Sequence, residues 1–192
     1  KFEQAKLVTP KPSFAGVGGQ LQLADLDADG GKQLMSYGSQ PKGYFELSDE
    51  DEWQPFRTFE SLPNIDLGDA NTRMLDLNGD GMPDVLITED NVFTWYESAG
   101  RKGFTQAYKT PKSFDEEKGP HLVFADPAQT IYLADMSGDG MTDIVRIRNG
   151  EICYWPNLGY GNFGAKVAMD NAPVFDHPDT FSPAYLRLAD ID

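Results

Sequence analysis

The sequence has little of what several common protein classes require. A single cysteine, Cys153, excludes an intrachain disulfide framework. No run approaches the roughly 18 apolar residues of a membrane-spanning helix, and no window of a dozen residues shows helical periodicity. Basic residues are scarce, with 16 Lys and Arg against 31 Asp and Glu. The sequence therefore predicts a fold with very little helix and no covalent cross-links.

The charge balance restricts the partners. A net charge of -15 opposes binding to phosphate backbones and anionic bilayers, because like charges repel. The basic residues do not offset this by forming a cluster. We therefore expect no nucleic-acid partner and no membrane contact by this segment.

The sequence also lacks a catalytic signature. It contains two histidines, His121 and His177, and neither a Gly-x-Ser-x-Gly nor a His-Glu-x-x-His motif. Cys153 lies in an apolar Ile-Cys-Tyr-Trp run, so it is expected to be a buried strand residue rather than a nucleophile. The sequence predicts a protein that is not an enzyme.

An internal repeat is the strongest positive feature. An Asp-rich segment occurs at Asp25–Gln33, Asp76–Asp84 and Asp135–Asp143, and a fourth begins at Asp190. Their first residues stand 51, 59 and 55 positions apart, which indicates similar units with loop insertions. We interpret residues 1–192 as one partial domain, with approximate repeats at 21–70, 71–129 and 130–184 and the start of a further repeat at 185–192.

Each unit is predicted to contain four antiparallel strands. Alternating apolar residues precede each Asp-rich loop, and an apolar run such as Ile144–Ile147 follows it. Asn149-Gly150 stands between two strand-like runs, where Asn-Gly is a preferred hairpin turn. Tandem four-stranded units of about 50 residues are typical of a β-propeller. The predicted fold is an all-β propeller segment with an incomplete ring.

Aromatic residues recur at fixed distances from the first Asp of each unit. They stand 19 and 28 positions after it, at Tyr44, Trp95 and Tyr154, and at Trp53, Phe104 and Phe163. Repetition at fixed offsets favours packing in the core of each sheet over sugar-binding pockets between sheets. Trp155 is predicted to be the exception, because neighbours on a strand face opposite sides.

The Asp-rich loops offer hard oxygen ligands that suit Ca²⁺. Oxygen-bearing side chains occupy loop positions 1, 3, 5 and 9, but the Glu that an EF-hand carries at position 12 is missing. The candidate ligands are Asp76, Asn78, Asp80 and Asp84 in the second unit, Asp135, Ser137, Asp139 and Asp143 in the third, and Asp25, Asp27 and Asp29 in the first.

A second interpretation of these loops stays open. Asp and Asn side chains accept hydrogen bonds from backbone amides nearby and stabilise tight turns without an ion. The first loop has Gln33 in place of the last carboxylate, which weakens its ligand set. In either case a structural role is favoured over a catalytic one.

These loops and their flanking strands resemble FG-GAP (VCBS-type) propeller repeats over nearly the whole chain. A narrower resemblance rests on Glu151–Gly164, with its Tyr-Trp-Pro-Asn-Leu-Gly-x-Gly-x-Phe-Gly string, on Met169–Asp179 and on Leu186–Asp192. These segments are similar to the propeller-bearing region of the B component of bacterial insecticidal toxin complexes (Tc toxins), and to the Salmonella virulence-plasmid B protein.

The resemblance implies a non-enzymatic role in a secreted, extracellular virulence assembly. In that family the B component forms, with the C component, a shell around a toxic polypeptide. Its propeller docks on the A-component translocation channel and acts as the gate. The alternative is a Ca²⁺-stabilised adhesin or a lectin-like FG-GAP binding propeller.

Overall fold

The structure, a computed structural model, describes residues 4–9, 11–13, 21–37, 41–89, 91–126, 130–174 and 186–189. The bend expected at Asp190 and the residue His177 lie outside the described residues. Within these ranges the only helix is a single 3₁₀ turn at Gly100–Lys102. No helix in the described part of the chain has the length and apolarity needed to cross a membrane.

Three four-stranded antiparallel sheets follow one another along the chain. The first contains β1 (Leu21–Ala24), β2 (Gln33–Ser36), β3 (Gly43–Phe45) and β4 (Arg57–Thr58). The second contains β5 (Thr72–Leu75), β6 (Asp84–Ile87), β7 (Val92–Ser98) and β8 (Phe104–Pro111). The third contains β9 (Ile131–Ala134), β10 (Asp143–Arg148), β11 (Glu151–Trp155) and, after a separate hairpin of β12 (Asn157–Gly159) and β13 (Asn162–Phe163), β14 (Val167–Ala168). The predicted all-β fold with four-stranded antiparallel units is confirmed.

The strands form where the sequence pattern places them. Each Asp-rich segment connects the first strand of a sheet to the second. The Asn149-Gly150 turn joins β10 to β11, with Arg148 paired to Glu151 across it. Gly150 has a φ of +78°, a conformation that glycine adopts without steric cost. The hairpin predicted from this dipeptide is therefore confirmed.

All three units contain an equivalent cross-strand pair at the end of the third strand or just after it. The residue 28 positions after the first Asp is aromatic in each unit, and it pairs with the residue at offset 22. These pairs are Leu47 with Trp53, Ser98 with Phe104, and Asn157 with Phe163. In the second sheet a register shift before Ser98 accommodates the pair, whereas the third unit inserts the β12–β13 hairpin. The fixed aromatic offsets thus mark one recurring tertiary position.

The largest apolar core lies between the second and third sheets. It contains Leu86 and Trp95 from the second sheet and Ile144, Cys153 and Trp155 from the third. Each fully buried Leu or Ile side chain stabilises the fold by roughly 1.5–3 kcal/mol. A separate cluster links the second sheet to residues 65–67, which connect it to the first. Burial between sheets therefore joins the units into one body.

Trp155 does not face outward, and the prediction that it is the exception to core packing is wrong. Its side chain is completely buried, whereas Tyr154 is half-buried. Because side chains alternate along β11, Trp155 and Cys153 point to the same face, which is the core. The indole Nε1 donates a hydrogen bond to the Glu116 carbonyl oxygen at 2.8 Å, so burial leaves no polar atom unpaired. The buried strand position predicted for Cys153 is confirmed.

Candidate functional site

The second and third Asp-rich loops share one hydrogen-bond scheme that begins at position 1. In the first loop Asp25 accepts the position-6 amide of Gly30 in the same way, but it accepts the Asp29 amide in place of the one at position 4. Asp76 accepts hydrogen bonds from the Gly79 amide at 2.7 Å and from the Gly81 amide at 2.8 Å. Asp135 accepts the same pair within its own loop at 2.7 and 2.9 Å. These amide donors favour the charged form and hold the pKa of Asp135 below its usual value. The carboxylate at position 1 therefore closes the turn on itself.

Positive backbone angles complete the turn. Position 6 is glycine in every loop, and Gly30, Gly81 and Gly140 have φ values of +86°, +80° and +88°. Position 4 is also left-handed, although the first loop places Ala28 there with φ +56°. Only glycine adopts this conformation without strain, which explains why the sequence keeps glycine at position 6 in all three loops and at position 4 in the second and third.

The last carboxylate of each complete loop points inward and connects the loop to a distant strand. Asp84 is fully buried. Its Oδ2 accepts a hydrogen bond from the Leu77 amide at 3.0 Å, and its Oδ1 accepts one from the Ser98 amide at 2.7 Å. Ser98 is the residue paired with Phe104. The two oxygens thus hold the loop against the end of the third strand.

Asp143 makes the equivalent connection in the third unit. Its Oδ2 accepts hydrogen bonds from the Met136 and Ser137 amides at 2.9 and 3.0 Å, and its Oδ1 accepts one from the Asn157 amide at 2.7 Å. In the first unit the Gln33 Oε1 accepts the Leu26 amide at 2.8 Å. A glutamine has one side-chain oxygen where a carboxylate has two. Gln33 therefore reproduces the hydrogen bond within the loop but offers no second oxygen to the end of the third strand.

The first loop gathers its carboxylates around an internal cation. Ligand atoms of Asp25, Asp27 and Asp29 lie within 4.8 Å of one another. The guanidinium of Arg101, from the 3₁₀ turn of the second sheet, lies 3.0 Å from Asp27 and 3.4 Å from Asp29, and 2.8 Å from Glu46. Arg101 is partly exposed, so each ion pair contributes less than about 1 kcal/mol. The cluster nevertheless joins the first unit to the second.

The loops of successive sheets are neighbours in space. A methyl group on Gly81 would lie 2.9 Å from the Ala28 side chain of the first loop. A methyl group on Gly79 would lie 3.6 Å from the Met141 side chain of the third loop. The structure therefore brings the predicted ligand sets to one side of the sheets, but each set remains in its own loop.

The geometry of the second loop accounts for its ligand types without an ion. Asn78 donates from Nδ2 to Asp80 at 2.9 Å, and its Oδ1 accepts the Asp80 amide at 3.1 Å. Asp80 in turn accepts the Met82 amide at 2.8 Å. In the described part of the chain, three grouped carboxylates occur only in the first loop, where Arg101 already supplies a positive charge. These contacts fit the turn interpretation, and Ca²⁺ binding stays a prediction.

We predict that millimolar Ca²⁺ raises the melting temperature if the second and third loops bind the ion. A ligand at 100 times its dissociation constant stabilises the folded state by about 2.7 kcal/mol, which is several degrees for a chain of this size. Differential scanning calorimetry in Ca²⁺ and in chelator measures the shift, and Asp139→Ala should reduce it. Identical melts in both buffers would leave the loops as turns only.

The buried carboxyl of Asp84 is expected to make the free energy of unfolding depend on pH. Burial raises the pKa of its carboxyl from 3.8 to about 6, against the opposing hydrogen bonds from Ser98 and Leu77. The folded protein therefore keeps this proton up to about pH 6, whereas the unfolded chain releases it near pH 4. The contribution of the Asp84 proton to the free energy of unfolding is therefore complete below about pH 4 and is lost as the pH rises through 6.

Urea unfolding in chelator between about pH 4 and 7 tests this assignment. The difference in unfolding free energy between the wild type and Asp84→Asn should fall by about 2–3 kcal/mol as the pH rises. A difference that stays constant over this range would show that Asp84 does not titrate there.

A cleft between the second and third units is the other candidate site. It encloses about 240 Å³ between the end of β8, residues 112–120 and the β12–β13 hairpin. Phe93 and Phe163 meet edge to face within its lining, with ring centroids 5.3 Å apart. Polar groups of Thr110 and Asn162 also line it. Phe93 is buried, so the half-buried Phe163 ring is the aromatic surface that the cleft offers beside these hydroxyl and amide groups, an arrangement that suits a small polar ligand with an apolar face.

Comparisons with known proteins agree with this architecture. The FG-GAP-like repeat family matches residues 76–146, which include the whole of the second and third loops. No curated protein matches the chain. Among solved structures, a chain of the Photorhabdus luminescens Tc holotoxin pore matches with a TM-score of 0.75 and 22% identity, covering 98% of this chain and 8% of that chain.

Two further structures are similar. An Agrocybe aegerita lectin that recognises non-reducing terminal N-acetylglucosamine matches with a TM-score of 0.51 and 20% identity, covering 76% of this chain and 36% of that chain. The TcdB2-TccC3 structure without its hypervariable C-terminal region matches with a TM-score of 0.46 and 21% identity, over 88% of this chain and 8% of that chain. This chain therefore spans a small part of the first proteins it matches.

The predicted resemblance is confirmed at the level of the repeat and of the fold. The repeat family matches residues 76–146, which contain two of the Asp-rich loops, and nearly the whole chain superposes on a Tc holotoxin chain. The chain matches the FG-GAP-like repeat family at residues 76–146 and has the fold of a β-propeller segment.

Proposed function

We propose that this chain is part of the propeller of a secreted toxin-complex B component. In this role it docks on the A-component translocation channel and, with the C component, forms part of the shell or gate for a toxic polypeptide. The chain performs no catalysis in this role. The observation that carries the proposal is the superposition of 98% of the chain on part of a Tc holotoxin chain.

The surface chemistry supports a protein partner over a nucleic acid or an anionic bilayer. The net charge of -15 disfavours both of those surfaces. The carboxylates of the Asp-rich loops are engaged in turn hydrogen bonds and in one ion cluster, as expected of a scaffold. Cys153 is fully buried, and burial raises the pKa of its thiol, so it is not a ready nucleophile.

Size-exclusion chromatography with the A-component channel of a Tc toxin tests the proposal. We expect the chain to comigrate with the channel at micromolar concentrations, whereas the Agrocybe aegerita lectin, a control of similar fold, should elute separately. Failure of the chain to comigrate at concentrations well above this range would overturn the docking role.

A Ca²⁺-stabilised lectin or adhesin is the second candidate. The cleft lined by Phe163 favours it, because a sugar could contact this half-buried ring while Thr110 and Asn162 accept or donate hydrogen bonds. The fold similarity to the N-acetylglucosamine-binding lectin is compatible with this role. A glycan array distinguishes the two candidates: specific glycan binding without comigration would replace docking by the lectin role.

A further inference from the structure

The last strand of the second sheet is much longer than the last strands of its neighbours. β8 spans eight residues, whereas β4 of the first sheet and β14 of the third span two each. Short edge strands are one way in which proteins avoid pairing with other chains, because they present little unpaired backbone. β8 lacks this protection, so its free side calls for an explanation.

The free side of β8 is an open sheet edge. The strand pairs with β7, and no other strand in the described part of the chain pairs with it. Ser61 forms a bridge with Gly103 and accepts the Phe104 amide, which covers only the start of the strand. The side chains at positions 106–109 are exposed. We call residues 105–111 the β8 edge.

Alternate residues of the β8 edge direct their backbone groups away from β7. The Lys112 amide donates to the Asn91 carbonyl oxygen at 2.9 Å, so every second residue back from Lys112 is hydrogen-bonded to β7. The amide and carbonyl groups of Ala107 and Lys109 therefore point outward, whereas Pro111 has a carbonyl but no amide. Unpaired backbone groups at every second residue are what an added β-strand binds.

The β8 edge carries positive charge in an otherwise acidic chain. Residues 101–112 contain four Lys and Arg and no Asp or Glu. Two of the four are engaged, since Arg101 is ion-paired to the first loop and the Lys112 ammonium donates to two backbone carbonyl oxygens. Lys102 and Lys109 are exposed, and neither forms an ion pair with a described residue. Two positive charges are thus left uncompensated.

The acids in the segments beside the β8 edge do not pair with these lysines. Glu97, on β7, approaches the second loop, with 3.4 Å between its Oε1 and Asn78 Nδ2. Glu60, next to Ser61, is exposed and forms no ion pair within the described residues. The remaining negative charge acts at longer range, and charges beyond about 8 Å are largely screened at physiological ionic strength. The edge therefore favours a partner that carries carboxylates.

The two faces of the strand favour different side chains on an added strand. Tyr108 is 37% exposed and stacks on Trp95, with ring centroids 4.7 Å apart. Lys109 points to the opposite face, where its neighbour on β7 is the uncharged Thr94. An antiparallel strand that alternates acidic and apolar residues would place carboxylates beside Lys109 and apolar groups beside Tyr108.

We propose that the β8 edge binds an extended acidic segment of a partner protein as a fifth antiparallel strand of the second sheet. The backbone groups of Ala107 and Lys109 supply the hydrogen bonds, and Lys109 selects for carboxylates. A second copy of this chain is a poorer occupant, because two β8 edges would bring like charges together. This inference goes beyond the proposed function and does not require the A-component channel as the partner.

Fluorescence anisotropy with labelled peptides of about seven residues tests the charge preference. The probe alternates Glu and Val, and two matched peptides carry Gln or Lys in place of every Glu. We expect the Glu peptide to bind, the Gln peptide to bind severalfold more weakly and the Lys peptide not to bind. Lys109→Glu should raise the Kd of the Glu peptide about fivefold. Lys6→Glu, at an exposed lysine before the first sheet, is the control and should change it less than about twofold.

N-methylated peptides test the backbone pairing. In an antiparallel strand with its carboxylates beside Lys109, the Glu amides face β8 and the Val amides face water. N-methylation of the Glu amides should therefore abolish binding, whereas N-methylation of the Val amides should preserve it. Ala107→Pro, which removes an outward amide, should weaken binding at least tenfold. If a thermal melt shows that this variant does not fold, the two N-methylated peptides decide the question.

Several outcomes would overturn the proposal. They are no binding of the Glu peptide at millimolar concentration, binding that survives N-methylation of the Glu amides, and equal binding by the wild type and Lys109→Glu. A dimer in analytical ultracentrifugation that Ala107→Pro dissociates would assign the edge to a second copy instead. The assay contains no channel, so none of these results affects the docking role.

Discussion

Replacing Gly103 with alanine is expected to cost about 4 kcal/mol of unfolding free energy, or to prevent folding altogether. A Cβ at this position would lie 2.0 Å from the Ser61 carbonyl oxygen, and the backbone has a φ of +112°. That oxygen accepts the Phe104 amide at 2.9 Å, and Ser61 pairs with Gly103 in an isolated bridge. The segment cannot retreat without losing the connection between the first two sheets.

Gly140 serves as a control that distinguishes the steric clash at Gly103 from the strain of a positive φ. Gly140 also has a positive φ, +88°, but a Cβ there would meet no atom within 4 Å. Gly140→Ala should therefore cost only about 1 kcal/mol. Urea unfolding followed by tryptophan fluorescence measures both variants. Equal losses of stability in the two would show that the contact with Ser61 is unimportant.

Replacing Asp143 with alanine is the second large effect that we expect. The buried carboxylate accepts amide hydrogen bonds from Met136, Ser137 and Asn157. Its removal leaves three backbone donors without their acceptor, which is expected to cost about 3 kcal/mol in total. For a chain of this length that corresponds to a fall in melting temperature of about 10 °C.

Asp139 provides the matched control in the same loop. It is exposed and accepts one amide hydrogen bond, from Met141 at 2.9 Å. Asp139→Ala should cost less than about 1 kcal/mol, and both variants should be compared in chelator so that no ion contributes. If the two substitutions destabilise equally, the carboxylate at position 9 does not hold the loop against the end of the third strand.

Much of the architecture was predictable because the signals are local and repeated. The spacing of the Asp-rich segments indicates the units, and Asn149-Gly150 indicates a hairpin that the structure confirms. Alternation and turn chemistry within a few residues decide these features. The fixed aromatic offsets also indicate a shared environment, which the structure shows as a recurring cross-strand pair.

The contacts that join the units could not be predicted in the same way. Arg101 approaches Asp29, which lies 72 residues earlier in the chain, and nothing in the local sequence specifies that pairing. The inward direction of Asp84 depends on the Ser98 amide, 14 residues later. The sequence does not show which face of β11 is the core face, because the Cys-Tyr-Trp run is apolar on both sides of the strand. For this reason the prediction that Trp155 lies outside the core was wrong.

The position-9 residues also explain a departure from the repeat. Gln33 accepts the Leu26 amide in the first loop, as Asp84 and Asp143 accept the equivalent amides. A repeat whose last loop residue serves as a hydrogen-bond acceptor tolerates glutamine there, whereas a dedicated metal ligand would favour a carboxylate. The substitution is therefore easier to understand for a scaffold than for a uniform set of ion sites.

Electron cryomicroscopy of the chain mixed with the A-component channel is the most direct test of the docking role. The account predicts an additional density of propeller shape at one end of the channel. Channel particles that remain bare at saturating concentrations of the chain would contradict the account.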